Sequence, residues 1–255
     1  MEWNPWAGTT ENYRISIAAL VANGTMDAEV AGTLWAAADE QLSFLTAALP
    51  RNAGKTTVAS AILAVRPPAV PLHYAYGESA ELAELRRERQ GGYLVIGEFS
   101  PWAMPSYIWG DSVRAVFETL NQGYSLQSSL HAPDVDSALR VIIEENRVAD
   151  AEASHLKLVV HIVVGQGQGG VTQRRVSEVY ELDGVSNGVP SGRTLFRWLP
   201  QDDRFEKQSE PSQFGLDRDV LRRRREAIDG LVKTGRTSIE DVARMVSGFK
   251  ARDEA

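Results

Sequence analysis

Cysteine is absent from all 255 residues, which excludes thiol nucleophiles, Cys-ligated zinc, iron–sulfur clusters and disulfides at once. That absence fits a reducing compartment. Long apolar runs are missing as well. A membrane span needs roughly 18 uninterrupted apolar residues, and the most apolar stretch, 158–164, is short and carries His161. The first residues, MEWNPWAG, are acidic and lack the basic-then-apolar order of a signal peptide, so the chain reads as cytoplasmic with no transmembrane segment. Excess positive charge is also lacking. The net charge is −7, from 27 Lys and Arg against 34 Asp and Glu, the opposite sign to a bulk nucleic-acid binder. Residues 202–255 hold 12 charges of each sign, so the whole excess lies in residues 1–201. Only the run Arg222, Arg223, Arg224, Arg225 is densely basic. It reads as a solvated helix face, with contact to anionic lipid as the other reading.

The remaining composition, 43% hydrophobic and 24% charged, is that of a globular protein and argues against disorder or collagen-like repeats. The length allows one large domain or two small ones, each able to bury a core. Thr25 is placed to cap a helix over 26–41, and 43–49 reads as a buried strand. A loop then leads into a helix over 55–65, which Pro67, Pro68 and Pro71 end. Strands follow at 72–76, 93–96 and 125–130, with helices over 79–90, 113–121 and 134–146. Segments 156–164 and 174–182 read as two strands joined by the Gly-rich turn 165–170, and 193–198 as a third. From 217 onward the pattern is of charged helices. Strands alternating with helices, then a hairpin, predict an α/β sheet with antiparallel additions and a helical tail.

The chemically informative segment is LPRNAGKTT, from Leu49 through Pro50, Arg51, Asn52, Ala53, Gly54, Lys55 and Thr56 to Thr57. It lies between a predicted strand and a predicted helix, where helix N-terminal N–H groups and the helix dipole attract an anion. Lys55 is placed to reach β and γ phosphates, and the Thr56 hydroxyl to coordinate Mg²⁺. The pattern GxxxxGK(S/T) nevertheless lacks its first glycine, because Leu49 stands there and restricts the turn. The segment is therefore either a nucleotide loop of altered shape or a helix start with an incidental Gly-Lys-Thr-Thr. Glu98, at the end of the apolar strand ending LVIGE, is placed to hold Mg²⁺ or orient a water. Ser128, Ser129 and His131 form a polar cluster at another strand end.

Taken in order, these segments resemble the secretion ATPase superfamily that powers type II and type IV secretion and pilus assembly, with the branch serving Tad/Flp-type pili as the nearest likeness. The resemblance spans about residues 13–210. It runs through the phosphate loop, the YGESAEL segment as an acidic box, LVIGE as the Walker B strand, LNQGYSLQSSLHAPDVDSALRVI as a His box, and the hairpin LVVHIVVGQGQGGVTQRRVSEVYEL. It implies a RecA-like P-loop core over 42–210, an N-terminal helical approach segment over 1–41 and a C-terminal helical segment over 211–255. It also implies ATP and Mg²⁺ as ligands, a homo-oligomer of usually six subunits, and inner-membrane secretion or pilus proteins as partners. The place implied is cytoplasmic, at the inner face of the membrane. Mapped here, residues 50–57 bind phosphate, Thr56 and Glu98 hold the metal, Glu98 is the Walker B acid, Glu78 or Glu81 the acidic-box carboxylate, and His131 the nucleotide-sensing or charge-stabilising histidine.

The departures are specific. Leu49 replaces a glycine, Phe99, Ser100 and Pro101 follow Glu98 where the family has an Arg, and Tyr124 replaces the first histidine. Between Leu82 and Tyr93 the family's arginine-bearing segment is short, leaving Arg86, Arg87 and Arg89 as substitutes. The family's usual N-terminal domain is not seen before about residue 13. A segment over 100–111 adds Trp102, Tyr107 and Trp109 beside the Walker B acid, either as a cap over the core or as a partner surface. Two functions follow: a Mg²⁺-dependent ATPase driving secretion or pilus assembly, or a degenerate, non-hydrolysing structural or regulatory subunit. An unrelated P-loop kinase or GTPase leaves the hairpin ending unexplained.

Overall fold

Alternating apolar strands need cover on both faces, and the computed structural model supplies it with two helical layers around one mixed sheet. It describes residues 15–104, 106–166, 170–214 and 218–253. The reading of MEWNPWAG as leaderless and the middle of the Gly-rich turn, 167–169, lie outside the described residues.

Ser16 caps α1 (Ile17–Ala22) and Asp27 caps α2 (Ala28–Asp39), each side-chain oxygen accepting an N–H from the first turn. Asp27 thus takes the role expected of Thr25, whose hydroxyl instead donates to Asn23. The chain continues through β1 (Ser43–Ala47), α3 (Lys55–Ala64), β2 (Leu72–Ala75), α4 (Ser79–Glu88) and β3 (Gly92–Ile96). Two short strands, β4 (Glu98–Phe99) and β5 (Tyr107–Ile108), precede α5 (Asp111–Leu120) and β6 (Tyr124–Leu130). The helix expected over 134–146 splits into α6 (Val135–Arg140) and a π-helical turn, Val141–Glu145. Asn146 ends it, donating to the Val141 carbonyl and accepting from the Gly110 N–H. After α7 (Asp150–Ala153) come β7 (Leu156–Gln166), β8 (Thr172–Ser186), β9 (Val189–Leu199) and β10 (Arg204–Lys207), then α8 (Arg218–Lys233) and α9 (Ile239–Asp253).

The main strand order is β10-β9-β8-β7-β1-β6-β3-β2. The five strands from β7 to β2 are parallel, and β7 through β10 pair antiparallel. Strand alternation divides the side chains between two cores. Phe44, Tyr93, Val95, Leu158 and Val160 face the helices that include α2, α3 and α8, whereas Leu45, Leu94, Ile96 and Val159 face α4, α5 and α6. β4, β5 and β10 extend the expected strand set. Gly97 sits where β3 gives way to β4, and any side chain there would collide with the Ser106 carbonyl. Among the described residues no helix is long and apolar enough to cross a membrane.

The four-arginine run is not uniformly solvated, because the helical period turns one member inward. Arg222 pairs with Asp219 and Glu226 and Arg225 with Glu29, but Arg224 is 2% exposed. It pairs with Asp39 and stacks over Trp35 and Phe249, fastening α8 to α2. Removing one member of a buried ion pair leaves the other charge stranded. Arg224→Ala is therefore expected to lower unfolding free energy by about 3 kcal/mol, read as a fall in the urea midpoint at unchanged slope.

In the antiparallel part of the sheet Arg175 donates to both carboxylate oxygens of Asp203, at 2.7 and 2.8 Å. These bonds hold the Asp203 carboxyl down at about 2 from its ordinary 3.8. A carboxyl depressed on folding stabilises the protein above its unfolded value and loses that contribution as pH falls through the folded one. The melting-temperature gap between wild type and Asp203→Asn should be full above about pH 4 and close as pH approaches 2. The half-exposed position of Asp203 keeps that gap small.

Candidate functional site

Because β1, β6 and β3 run parallel, their carboxyl ends emerge at one edge of the sheet, where α/β proteins gather ligands. The register fixes what arrives there. Thr46 lies beside Ser129 and Ala47 beside Leu130, with the two buried hydroxyls hydrogen-bonded at 2.9 Å. His131 therefore leaves β6 next to Ala48 and Leu49 as they leave β1. Phe99 of β4 pairs with Leu130, which carries Glu98 to the same edge.

The side chains that meet are Lys55, Glu98 and His131. Lys55 Nζ is 3.2 Å from Glu98 Oε2, and both residues are buried, at 8% and 6% exposure. Nζ is also 3.3 Å from each ring nitrogen of His131. His131 Nδ1 lies 2.9 Å from the Leu49 carbonyl and 3.2 Å from that of Ala48. Carbonyls only accept, so Nδ1 carries a proton. Glu98 Oε1, 3.2 Å from Nε2, is buried without a hydrogen-bond partner. Burial pulls Lys55 below the ordinary lysine range, against the charge of Glu98, which supports its protonation; Arg51 lowers it further. Burial, reinforced by the charge of Glu98, pushes the Tyr107 hydroxyl up.

The loop itself turns without a glycine at its start. Asn52 at φ 60° and Gly54 at φ 95° take the left-handed positions, so Leu49 needs none and is 62% exposed. Gly54 begins α3 with no side-chain cap, leaving the first N–H groups of the helix without that partner. Ala53 is buried, and Pro50, Arg51, Asn52 and Thr56 are exposed. A cleft of about 380 Å³ opens beside Glu98, lined by residues that include Arg51, Trp102, Tyr107, Trp109 and His131. The Arg51 guanidinium lies 4.3 Å from the centre of the Trp102 ring. The segment over 100–111 therefore contributes a wall of this cleft, while Trp102 remains 60% exposed.

Two residues stand apart from the cluster of Lys55, Glu98 and His131. Glu78 stands exposed at the N-cap of α4 and contributes no hydrogen bond or ion pair to the cluster among the described residues. Its neighbour Glu81 accepts the Tyr76 N–H at 2.8 Å and so shapes the turn before α4. Arg174, by contrast, was not singled out at all. It reaches from β8 to the loop before α3, donating to the Asn52 carbonyl from Nε at 3.3 Å and Nη2 at 3.1 Å. The available signal was the pair Arg174 and Arg175 in a strand, where alternation forces opposite faces.

Among solved structures, the fold is similar to the VirB11 ATPase from the Brucella suis type IV secretion system in complex with sulphate, with a TM-score of 0.44, 16% identity, and coverage of 70% of this chain and 56% of that one. It is similar to the Yersinia pseudotuberculosis ATPase DotB (TM-score 0.43, 12% identity, 85% and 60% covered) and to the Legionella pneumophila ATPase DotB (0.40, 12%, 76% and 53%). The chain thus spans little more than half the length of each of these relatives. No model of a known protein family and no curated protein matches the sequence.

The buried pair makes a testable demand. Lys55→Met strands the Glu98 carboxylate, which should cost about 3 kcal/mol of stability at neutral pH. The double variant Lys55→Met/Glu98→Gln should recover most of it. Equal melting temperatures for the single and double variants would show that Glu98 does not depend on Lys55.

Proposed function

We propose that this chain binds ATP through residues 50–57 and acts as a secretion- or pilus-type ATPase. The observation that carries the reading is the buried Lys55 ammonium. It is held at the N-terminus of α3 between Glu98 and His131, where an anion binder needs a mobile cation. In this reading the RecA-like domain covers 42–210, and the segments 1–41 and 211–255 flank it. Its ligands, ATP and Mg²⁺, suit the donors present. Thr56, exposed at the first turn of α3, and Glu98, whose Oε1 lacks a hydrogen-bond partner, are the residues that would hold the ion. Among the described residues no group of three or more His, Asp or Glu side chains is placed to hold a metal alone, which suits an ion carried in with phosphates.

Each residue then has a defined task. Lys55 leaves Glu98 and turns to the β and γ phosphates. The freed Glu98 carboxylate orients a water and accepts its proton, and Mg²⁺ supplies charge neutralisation when bound. His131 is tied to the Leu49 carbonyl through Nδ1, and so ties the terminal phosphate's position to the start of the loop. Glu78, exposed and apart from the cluster, is assigned at most an outer role. The function is proposed to be exercised as a homo-oligomer, six subunits by resemblance, on the cytoplasmic side of an inner-membrane secretion or pilus complex, with no nucleic acid involved.

A second reading, a regulator that binds but does not hydrolyse, draws on the same ion pair: a Glu98 that stays on Lys55 activates no water. Calorimetry with Mg²⁺ and ATP, paired with phosphate release, separates the two. Binding with turnover that Lys55→Ala lowers at least 100-fold supports the ATPase, since it removes a phosphate contact worth several kcal/mol. Binding without turnover supports the regulator. Absence of binding to the full chain would sink both.

A further inference from the structure

The phosphate-loop segment has two flanks, and only one is occupied by Lys55, Glu98 and His131. That flank is built from β6, β3 and β4. The opposite flank is built from β7 and β8, and the side chain that crosses it is Arg174, opposite Val164 in the register. Its guanidinium grips the Asn52 carbonyl with two donors, at 3.1 and 3.3 Å, and its Cδ lies 3.2 Å from where a Cβ on Gly54 would stand. Three of the five guanidinium N–H donors are left over.

Among the described residues no carboxylate forms an ion pair with Arg174, whereas its neighbour Arg175 is engaged by both oxygens of Asp203. Arg174 stands exposed beside the loop. It spends two donors on a loop carbonyl, in a fork that is pre-organised for planar oxyanions. A second observation points to a ligand at the same loop, on its other flank: Glu98 Oε1, in a side chain more than nine-tenths buried, has no hydrogen-bond partner.

We propose that Arg174 is a nucleotide-binding residue of this chain, contacting the inner phosphates on the nucleoside side while it fixes the loop through Asn52. The inference rests on the reading of residues 50–57 as a phosphate loop. A terminal phosphate belongs between Lys55 and Glu98. The phosphate chain therefore runs along the loop toward the other flank, and a contact there is shared by nucleoside diphosphates and triphosphates alike.

The test compares Mg²⁺·ATP and Mg²⁺·ADP affinities of the full chain by calorimetry. Arg174→Ala should weaken both about ten-fold and by the same factor, as expected for the loss of one charge-assisted contact. Arg174→Lys, which keeps the charge without the fork, should fall between. Lys55→Ala should show the opposite pattern, losing ATP more than ADP. Unchanged affinities in Arg174→Ala, or a loss confined to ATP, would overturn the assignment while leaving the loop reading intact. A wild-type chain that binds neither nucleotide overturns the loop reading and this inference together.

Discussion

Thr46 and Ser129, two buried hydroxyls 2.9 Å apart on neighbouring parallel strands, hold the register on which the candidate site depends. A strand slip of one residue would turn their hydroxyls into an apolar face and every neighbour with them. It would also carry His131 along by roughly 3.3 Å, beyond reach of the Leu49 carbonyl. Three separate stretches of sequence, near residues 50, 98 and 131, become one cluster only because β1, β6 and β3 pair in this order and direction. The polar pair is tolerated in the sheet centre because one hydroxyl donates to the other.

Much of this was legible in the sequence, and the misses share a cause. Apolar strands covered on both faces, and a helix starting at Lys55 after a glycine, follow from local pattern. That Lys55, Glu98 and His131 serve one site was implied by the family resemblance, which the order of the motifs carries rather than any one of them. What escaped was set by contacts distant in sequence. Arg224 looks solvated in a run of four arginines until Asp39, Trp35 and Phe249 are placed around it. Arg174 looks like an exposed strand charge until β7 and β8 bring it over Asn52. β4 and β5 are two residues each, too short to carry a period. Thr25 and Asp27 are both good caps, and only the position of Val30 chooses between them.

The leucine at position 49 stands where the backbone does not call for a glycine. A glycine is favoured where φ is positive, and here those positions are Asn52 and Gly54. Asparagine tolerates the left-handed region better than most residues, and the carbonyl it presents is the one Arg174 grips. Leu49 instead contributes a carbonyl to His131 and an exposed side chain to the cleft mouth.

The charge balance of the cluster constrains what can enter it. Glu98 is buried and its present cation is Lys55, so a ligand that draws Lys55 away must bring a replacement. A bare polyphosphate adds negative charge beside an already uncompensated carboxylate and is opposed twice, by repulsion and by desolvation. A polyphosphate carrying a divalent ion exchanges one cation for another and leaves Oε1 with a partner it now lacks. Under the proposed function, a requirement for metal would originate in Glu98 as much as in Thr56. The ion pair between Lys55 and Glu98 would then be the counterpart of a metal-bound state: the same carboxylate with a different cation.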